Sequence, residues 1–453
     1  MTDQLKNILD RYLSQIKNVS LSTLTGLTTN LQNAHSTDIA FYRIRDVKGV
    51  EAFKERDKKA KPGLIILTGI DAESIHEKIH VSDADFQKLQ KDLSDYFYPI
   101  DEKMKLVGVT GTNGKTSVVH LCRELMKLNG KTSASIGTMG IIHSVKGELA
   151  DLGTTSPGYI DLRRELKKLS DLGTEYVFCE VSSHALDQAR FGQGELRLSC
   201  AGWTNLTQDH LDYHGTMEEY FNSKLKILKL LSEDGKLFIH KDDQKLVDNL
   251  KKYPNVETLK SNVGEVPTPF KNGFAKKNLE MALTLIKCSS DLKDIKLDGL
   301  TPPRGRFSLI EDGQRIIVID YAHTPDALEN ICKEVRSTYA GHFTVVFGCG
   351  GDRDAKKRPL MGAIAEKYGD SVIVTNDNPR TEDPVKISLD IKAGMVKEHT
   401  TQLDRKLAIE MALKENLNGV ILIAGKGHEE YQEINGVKNH FSDFEVVQDF
   451  IGK

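Results

Sequence analysis

The chain has 453 residues, 39% hydrophobic and 28% charged, and 62 Lys and Arg against 65 Asp and Glu leave a formal net charge of −3. At roughly 150 residues per domain, this length predicts about three domains of an ordinary globular protein. The charge balance excludes a protein whose main task is gripping a nucleic-acid backbone, and no apolar run reaches the roughly 18 residues that would predict a membrane helix.

At the N-terminus, Asp3, Lys6, Asp10, Arg11 and Lys17 interrupt the apolar residues, so no secretion signal is expected. Leu5, Ile8, Leu9, Tyr12, Leu13 and Ile16 recur at helical spacing and predict an amphipathic helix. From about residue 103 onward, apolar runs at 105–110, 176–181, 236–240, 315–320, 344–348, 371–375 and 420–424 alternate with helix-patterned segments. That alternation predicts parallel sheets with helices on their faces, and ligands at the carboxyl ends of the strands. A polar stretch before residue 103 and the Pro- and Gly-containing segment 299–306 place the borders, giving domains 1–102, 103–302 and 303–453. The six cysteines form no Cys-x-x-Cys pair and predict buried thiols of a cytosolic protein, not disulfides or a zinc site.

The strongest local signal is GVTGTNGKTS at 108–117. An apolar strand runs into glycines, then Lys115 and Thr116, then a helix-like run. Glycines let backbone N–H groups approach an anion, and the new helix adds its positive end. Lys115 can reach terminal phosphates, and the Thr116 hydroxyl can ligate Mg²⁺. The standard spacing wants Gly where this chain has Val109, so a plain tight turn is the competing reading.

Further along, Glu180 ends a strand in EVSSHALDQAR, where a carboxylate can face a metal or simply cap a solvated strand end. The stretch NLTQDHLDYHG at 205–215 gathers His and Asp as a site would, though a turn-rich loop has the same composition. Lys224, in YFNSKLKIL, reads by itself as an exposed lysine. Asp320 follows a strand in DYAHTPDAL, the basic loop at 348–362 follows another, and DNPR at 377–380 and AGKGHEEY at 424–431 follow two more. An arginine held in such a turn can pair bidentately with a carboxylate.

TGTNGKTS, EVSSH, NLTQDHLDYHG and DNPR together resemble the Mur ligase superfamily, and closely its MurE branch, over about residues 103–453. The resemblance implies a three-domain α/β protein. It has a smaller, atypical N-terminal α/β domain for the uridine substrate, a central P-loop ATPase-like parallel sheet with helices, and a C-terminal Rossmann-like α/β domain. It implies an ATP-dependent amide ligase of peptidoglycan precursor synthesis in the cytoplasm, joining meso-diaminopimelate to UDP-MurNAc-L-Ala-D-Glu through an acyl phosphate, with domain closure. Gly111, Thr112, Asn113, Gly114, Lys115, Thr116, Ser117, Asn278, Arg306, Asp320 and His323 would bind ATP. Thr116, Glu180, His210 and a carbamylated Lys224 would serve Mg²⁺; with Lys115, the last three would be catalytic. Thr154, Thr155, Ser182, Gln188 and Arg190 would hold the UDP-MurNAc dipeptide. Arg353, Asp377, Asn378, Pro379, Arg380, Gly425 and Glu429 would hold diaminopimelate. Arg380 is the most discriminating, because a fixed guanidinium rewards the extra carboxylate that lysine lacks. The family's Phe-Asn-x-x-Asn segment is here Phe274 followed by Ala275, so only Asn278 remains for adenine. The chain is short for the branch, and the resemblance implies that the first domain carries the shortfall. No nucleic-acid partner and no membrane insertion are expected. The rivals are a lysine-adding or other Mur-type ligase, a folylpolyglutamate synthetase, and a non-catalytic protein of the same fold.

Overall fold

Strands Gly26–Thr28 (β1), Asp38–Ile44 (β2), Leu64–Gly69 (β3) and Lys78–Val81 (β4) form an all-parallel sheet in the order β1-β2-β3-β4. The computed structural model describes residues 2–192, 194–259, 266, 267, 270 and 273–452. The chain folds as two units interleaved in sequence. One comprises Met1–Gly108, Gly130–Ala201 and Lys226–Lys236, and the other Val109–Asn129, Gly202–Leu225 and Leu237–Lys453.

In the first unit, the helices beside the N-terminal sheet start where side chains cap them. Asp46 accepts from Gly49 N (2.7 Å) ahead of helix Val47–Asp57, and Ser82 from Asp85 N (3.1 Å) ahead of Asp83–Phe97. The N-terminal amphipathic segment differs from its prediction. It is an α-helix only over Thr2–Leu9, followed by a 3₁₀ turn over Asp10–Gln15. Its apolar face still packs as the spacing implies, with Leu5 and Leu9 buried and Ile8, Tyr12, Leu13 and Ile16 against the same core.

Strands Lys105–Thr110 (β5), Ser133–Gly137 (β6), Gly140–His143 (β7), Gly147–Ala150 (β8), Tyr176–Glu180 (β9), Leu198–Trp203 (β10), Leu231–Ile239 (β11) and Val256–Thr258 (β12) follow in chain order. Within the first unit, β6 pairs parallel with β9 and antiparallel with β7, which pairs antiparallel with β8. Within the second unit, β11 pairs parallel with β12.

The second unit also holds a six-stranded sheet. Its strands are Ser308–Asp312 (β13), Arg315–Asp320 (β14), Phe343–Phe347 (β15), Ser371–Val374 (β16), Thr400–Thr401 (β17) and Val420–Ala424 (β18), ordered β13-β14-β18-β15-β16-β17. All pairs are parallel except β13 with β14. β18 is apolar at every position because helices cover both faces. Val420, Leu422 and Ala424 enter one core cluster, and Ile421 and Ile423 the other. Full burial of each Ile or Leu contributes about 1.5–3 kcal/mol. The parallel strands therefore end together, and the loops after Asp320, Phe347, Val374 and Ala424 open at one edge. Strands Tyr431–Ile434 (β19) and Val437–His440 (β20) add a separate hairpin.

None of the six cysteines is in a disulfide, and five are buried as expected; Cys288, near the end of helix Gly273–Ser289, is instead exposed. Among the described residues, no helix is long and apolar enough to cross a membrane.

Candidate active site

In the second unit, β5 delivers a glycine loop to helix Lys115–Leu128. Gly111 has φ 143° and Gly114, the N-cap, φ 87°, backbone that suits glycine. A Cβ at Gly114 would lie 2.6 Å from Asn278 Oδ1, and one at Gly111 would collide with Thr204 Oγ1. Lys115 Nζ donates to the carbonyls of Gly111 (2.9 Å) and Thr112 (2.8 Å). Asn113 N donates to Asn205 Oδ1 (2.9 Å), and its side chain to Asp326 Oδ2 (2.9 Å). The Thr112 hydroxyl bridges Thr207 O (3.0 Å) and Tyr220 Oη (3.2 Å). The loop is therefore held from strand, helix and following loop, with Ser117 in the first turn.

Lys224, on helix Met217–Leu225, is only 1% exposed, which overturns its reading as a surface lysine. Its Nζ donates to Gly111 O (2.8 Å) and lies 4.5 Å from the Tyr220 ring centre. Burial, aided by the Lys115 cation and opposed by Asp209, pushes its pKa well below the ordinary lysine value. His210 has φ 54° and opens helix Leu211–His214, with Nε2 3.5 Å from Asp209 Oδ2. Burial alone would raise the Asp209 carboxyl. At the acid pH where it titrates, the charges of His210, His323, Lys357 and Lys115 outweigh that and hold the carboxyl below its usual range.

The same unit supplies the C-terminal contributions. Arg306 Nη2 donates to Thr116 Oγ1 (3.3 Å), and its guanidinium stacks 4.1 Å from the Tyr321 ring centre, while the buried Nε has no partner. Asp320, buried at the end of β14, accepts from Phe307 N and Ala322 N, each 2.7 Å. Burial raises its pKa despite Arg306 and these bonds. His323 Nδ1 lies 2.9 Å from Tyr321 O, and Lys357 Nζ donates to His323 O (2.8 Å). Burial, with Lys357 nearby, drops the His323 pKa to about 4, so the ring is neutral near pH 7.

After β16 and β18 lies a second cluster. Asn378 Nδ2 donates to Glu429 Oε2 (2.9 Å), and the fully buried Lys426 donates to Asn378 Oδ1 and Glu429 Oε2, both 3.0 Å. Lys426 stands 3.8 Å from Asp377, whose Oδ2 would be 2.7 Å from a Cβ at Gly425. Pro379 leads into Arg380, which has φ 51° and donates from Nη1 to Gly351 O (2.8 Å). Arg353 is exposed, yet it flanks the same glycine as Arg380. A Cβ at Gly350 would lie 3.0 Å from Arg380 Nη1 and 3.8 Å from Arg353 Cγ. Arg405 and Asp443, both fully buried, form a bidentate pair at 2.7 and 2.8 Å. Arg405 also donates to Asn376 O (3.2 Å) and Ala424 O (3.0 Å), just before Asp377 and Gly425.

In the first unit, Glu180 at the end of β9 is buried, not a solvated strand end. It accepts from Thr138 N (2.9 Å) and Thr138 Oγ1 (3.2 Å). Ser156 Oγ donates to Glu180 O (2.8 Å), and Thr155 Oγ1 lies 3.2 Å from Thr138 Oγ1. Ser182 caps helix Ser183–Asp187. Arg190 donates to Gln188 Oε1 (2.8 and 3.0 Å), Ser156 O (2.6 Å) and Thr154 Oγ1 (3.4 Å). Thr154, Thr155, Ser182, Gln188 and Arg190 thus form one polar cluster.

Sequence reasoning passed over Asp209, Asp326, Lys357, Lys426 and Arg405. Asp209 sits inside a motif already singled out, and Lys426 inside AGKGHEEY, so both had a local signal; Arg405 had none. The donor chemistry fits Mg²⁺-nucleotide, because a hydroxyl, a basic side chain and a buried unpaired guanidinium N–H meet at a helix N-terminus. Among the described residues, no group of three or more His, Cys, Asp or Glu is assembled for a metal.

The family model for the Mur ligase middle domain matches residues 109–294, and that for the Mur ligase, glutamate ligase domain matches 305–427. The UDP-N-acetylmuramoyl-L-alanyl-D-glutamate–2,6-diaminopimelate ligase of Aquifex aeolicus (strain VF5) is 38% identical over 80% of this chain and 81% of its own. That of Rickettsia bellii (strain RML369-C) is 34% identical over 99% of this chain and 98% of its own, first hundred residues included. A solved structure of a ligase of that name has a TM-score of 0.60 at 28% identity, covering 95% of each chain.

Proposed function

Because the chain belongs to the Mur ligase family, we propose that it is an ATP-dependent, ADP-forming amide ligase joining meso-diaminopimelate to UDP-MurNAc-L-Ala-D-Glu in cytoplasmic peptidoglycan precursor synthesis. The observation that carries the substrate choice is the DNPR loop, in which Arg380 lies beside the Asn378–Glu429–Lys426 cluster at the carboxyl ends of β16 and β18. A guanidinium there rewards a distal carboxylate, and a lysine ammonium would leave it unpaired.

The reaction class is transfer of the ATP γ-phosphoryl group to the substrate carboxylate, followed by attack of the amino acid's amine on the acyl phosphate. Bound Mg²⁺ would supply charge neutralisation for that transfer. The residues assigned to the nucleotide are Gly111–Ser117, with Asn278, Arg306, Asp320 and His323. Lys115, now resting on two loop carbonyls, can turn to phosphate oxygens at the cost of those bonds. Thr116 offers its hydroxyl to the metal, and His210 its ring nitrogen. A buried ammonium would oppose a cation, so Lys224 fits the metal centre only as a carbamate. Its depressed pKa supplies the neutral amine that carbamylation needs.

In the first unit, Glu180 is assigned a carboxylate role toward the metal, and Thr154, Thr155, Ser182, Gln188 and Arg190 the dipeptide substrate. Arg353, Asp377, Asn378, Pro379, Arg380, Gly425 and Glu429 are assigned to diaminopimelate. The domains are assigned as 1–102, 103–302 and 303–453. The test is ADP release measured with each substrate omitted in turn. Sustained release, matched to amide product, only when all three are present supports the reading; sustained release beyond one ADP per protein without the amino acid sinks it.

A further inference from the structure

β19 and β20 lie past residue 427, where the family match ends. They pair antiparallel from Tyr431 with His440 to Ile434 with Val437. Asn435 and Gly436 turn between them with φ 49° and 77°, both positive as a type I′ turn requires. An isolated two-stranded hairpin is marginal in water, and all four residues of β20 are exposed.

The partner that orders β19 is the DNPR loop. Gln432 Nε2 donates to Asp377 O (2.7 Å), and Glu433 N to Asn378 Oδ1 (2.9 Å). Arg380 N donates to Glu433 O (3.0 Å), and Asn435 N to Arg380 O (2.7 Å), so Arg380 and Ile434 form a β-bridge. Glu433 Oε2 stands 3.4 Å from Arg380 Nε.

Two consequences follow for recognition. First, Arg380 has φ 51°, an unfavourable backbone for a non-glycine residue, and the hairpin holds it there on both its N–H and its C=O. With Gly351 O on Nη1 and Glu433 on Nε, the guanidinium plane is fixed before a ligand arrives. Second, Glu433 N and Lys426 Nζ both donate to Asn378 Oδ1, which forces the amide to present Nδ2 to Glu429.

We propose that hairpin 431–440 is the specificity clasp of the amino-acid site. In it, Glu433 is a positioning residue that acts through Arg380, aiming the guanidinium at a second, distal carboxylate on the incoming amino acid. The proposal deepens, and rests on, the reading that this amino acid is diaminopimelate. A pre-aimed arginine loses less side-chain freedom on binding, so the clasp favours that substrate specifically.

The experiment uses the full-length protein carrying Glu433→Ala or Glu433→Gln. KM is measured for meso-diaminopimelate and for ATP, together with the preference over L-lysine and the thermal midpoint. Main-chain bonds of the hairpin survive both changes, so a purely structural effect is not expected. Glu433→Ala should raise KM for meso-diaminopimelate about tenfold and lower the preference by a similar factor, because the ion pair that orients the Arg380 guanidinium is lost. KM for ATP and the midpoint should not move. Glu433→Gln, which keeps an oxygen for Arg380 Nε, should recover part of the loss. An unchanged or lower KM for meso-diaminopimelate, or a parallel rise in KM for ATP, would overturn the clasp. Wild-type protein that prefers L-lysine would refute the substrate reading itself, a result visible before any variant is made.

Discussion

Lys224 Nζ donates to the carbonyl of Gly111 at 2.8 Å, tying a fully enclosed lysine to the glycine loop ahead of helix Lys115–Leu128. No ordinary surface lysine does this. Burial disfavours its charge and holds its pKa well below the ordinary lysine value, which favours the neutral amine that reacts with carbon dioxide.

Activity should therefore depend on bicarbonate. Stripping it should lower the rate, adding it back should restore the rate, and ¹³C-bicarbonate should give a carbamate NMR signal absent from Lys224→Arg. A rate indifferent to bicarbonate, with an unmodified lysine by mass spectrometry, would contradict the assignment.

Acid should destabilise the fold early. Burial pushes His120, His240, His323 and His428 each down to about 4. Between pH 6.5 and 4 the unfolded chain binds protons that the folded chain refuses, so stability falls as pH falls through that window. Denaturant midpoints from pH 7.5 to 4.5 check this. His240→Gln, outside the nucleotide site, should flatten the slope.

Arg380→Ala should raise KM for meso-diaminopimelate by about ten- to hundredfold, the worth of a charge-assisted bidentate pair. KM for ATP should change little. Steady-state kinetics with each substrate varied separately reads both, and equal effects would count against the role of Arg380.

The Arg405–Asp443 pair carries a stability prediction. Both side chains are fully buried, so Asp443→Asn leaves an uncompensated cation and should cost about 3–5 kcal/mol by urea unfolding. Arg405 also holds the carbonyls before Asp377 and Gly425, so the surviving folded fraction should bind diaminopimelate more weakly.

What could be read from sequence was what is local. β5, β14 and β18 fall on the apolar runs that announced them, because two-sided burial demands unbroken hydrophobic stretches. The glycine loop was legible for the same reason, since strand, turn and helix start are contiguous. Lys224 read as exposed because nothing beside it in sequence reports Gly111, over a hundred residues earlier. The partnership of Arg405 with Asp443 is equally remote. Hairpin 431–440 was a local omission, because Asn435-Gly436 between β-prone segments is a recognised hairpin signal.

Offering the protein UDP-MurNAc-L-Ala-D-Glu and ATP with an equimolar mixture of meso-diaminopimelate and L-lysine, and weighing the product, decides between the two amino acids. ADP formation should be matched by a tripeptide carrying diaminopimelate, with lysine incorporation rarer by at least about a hundredfold. A product carrying mainly lysine, or ADP without any amide product, would contradict it.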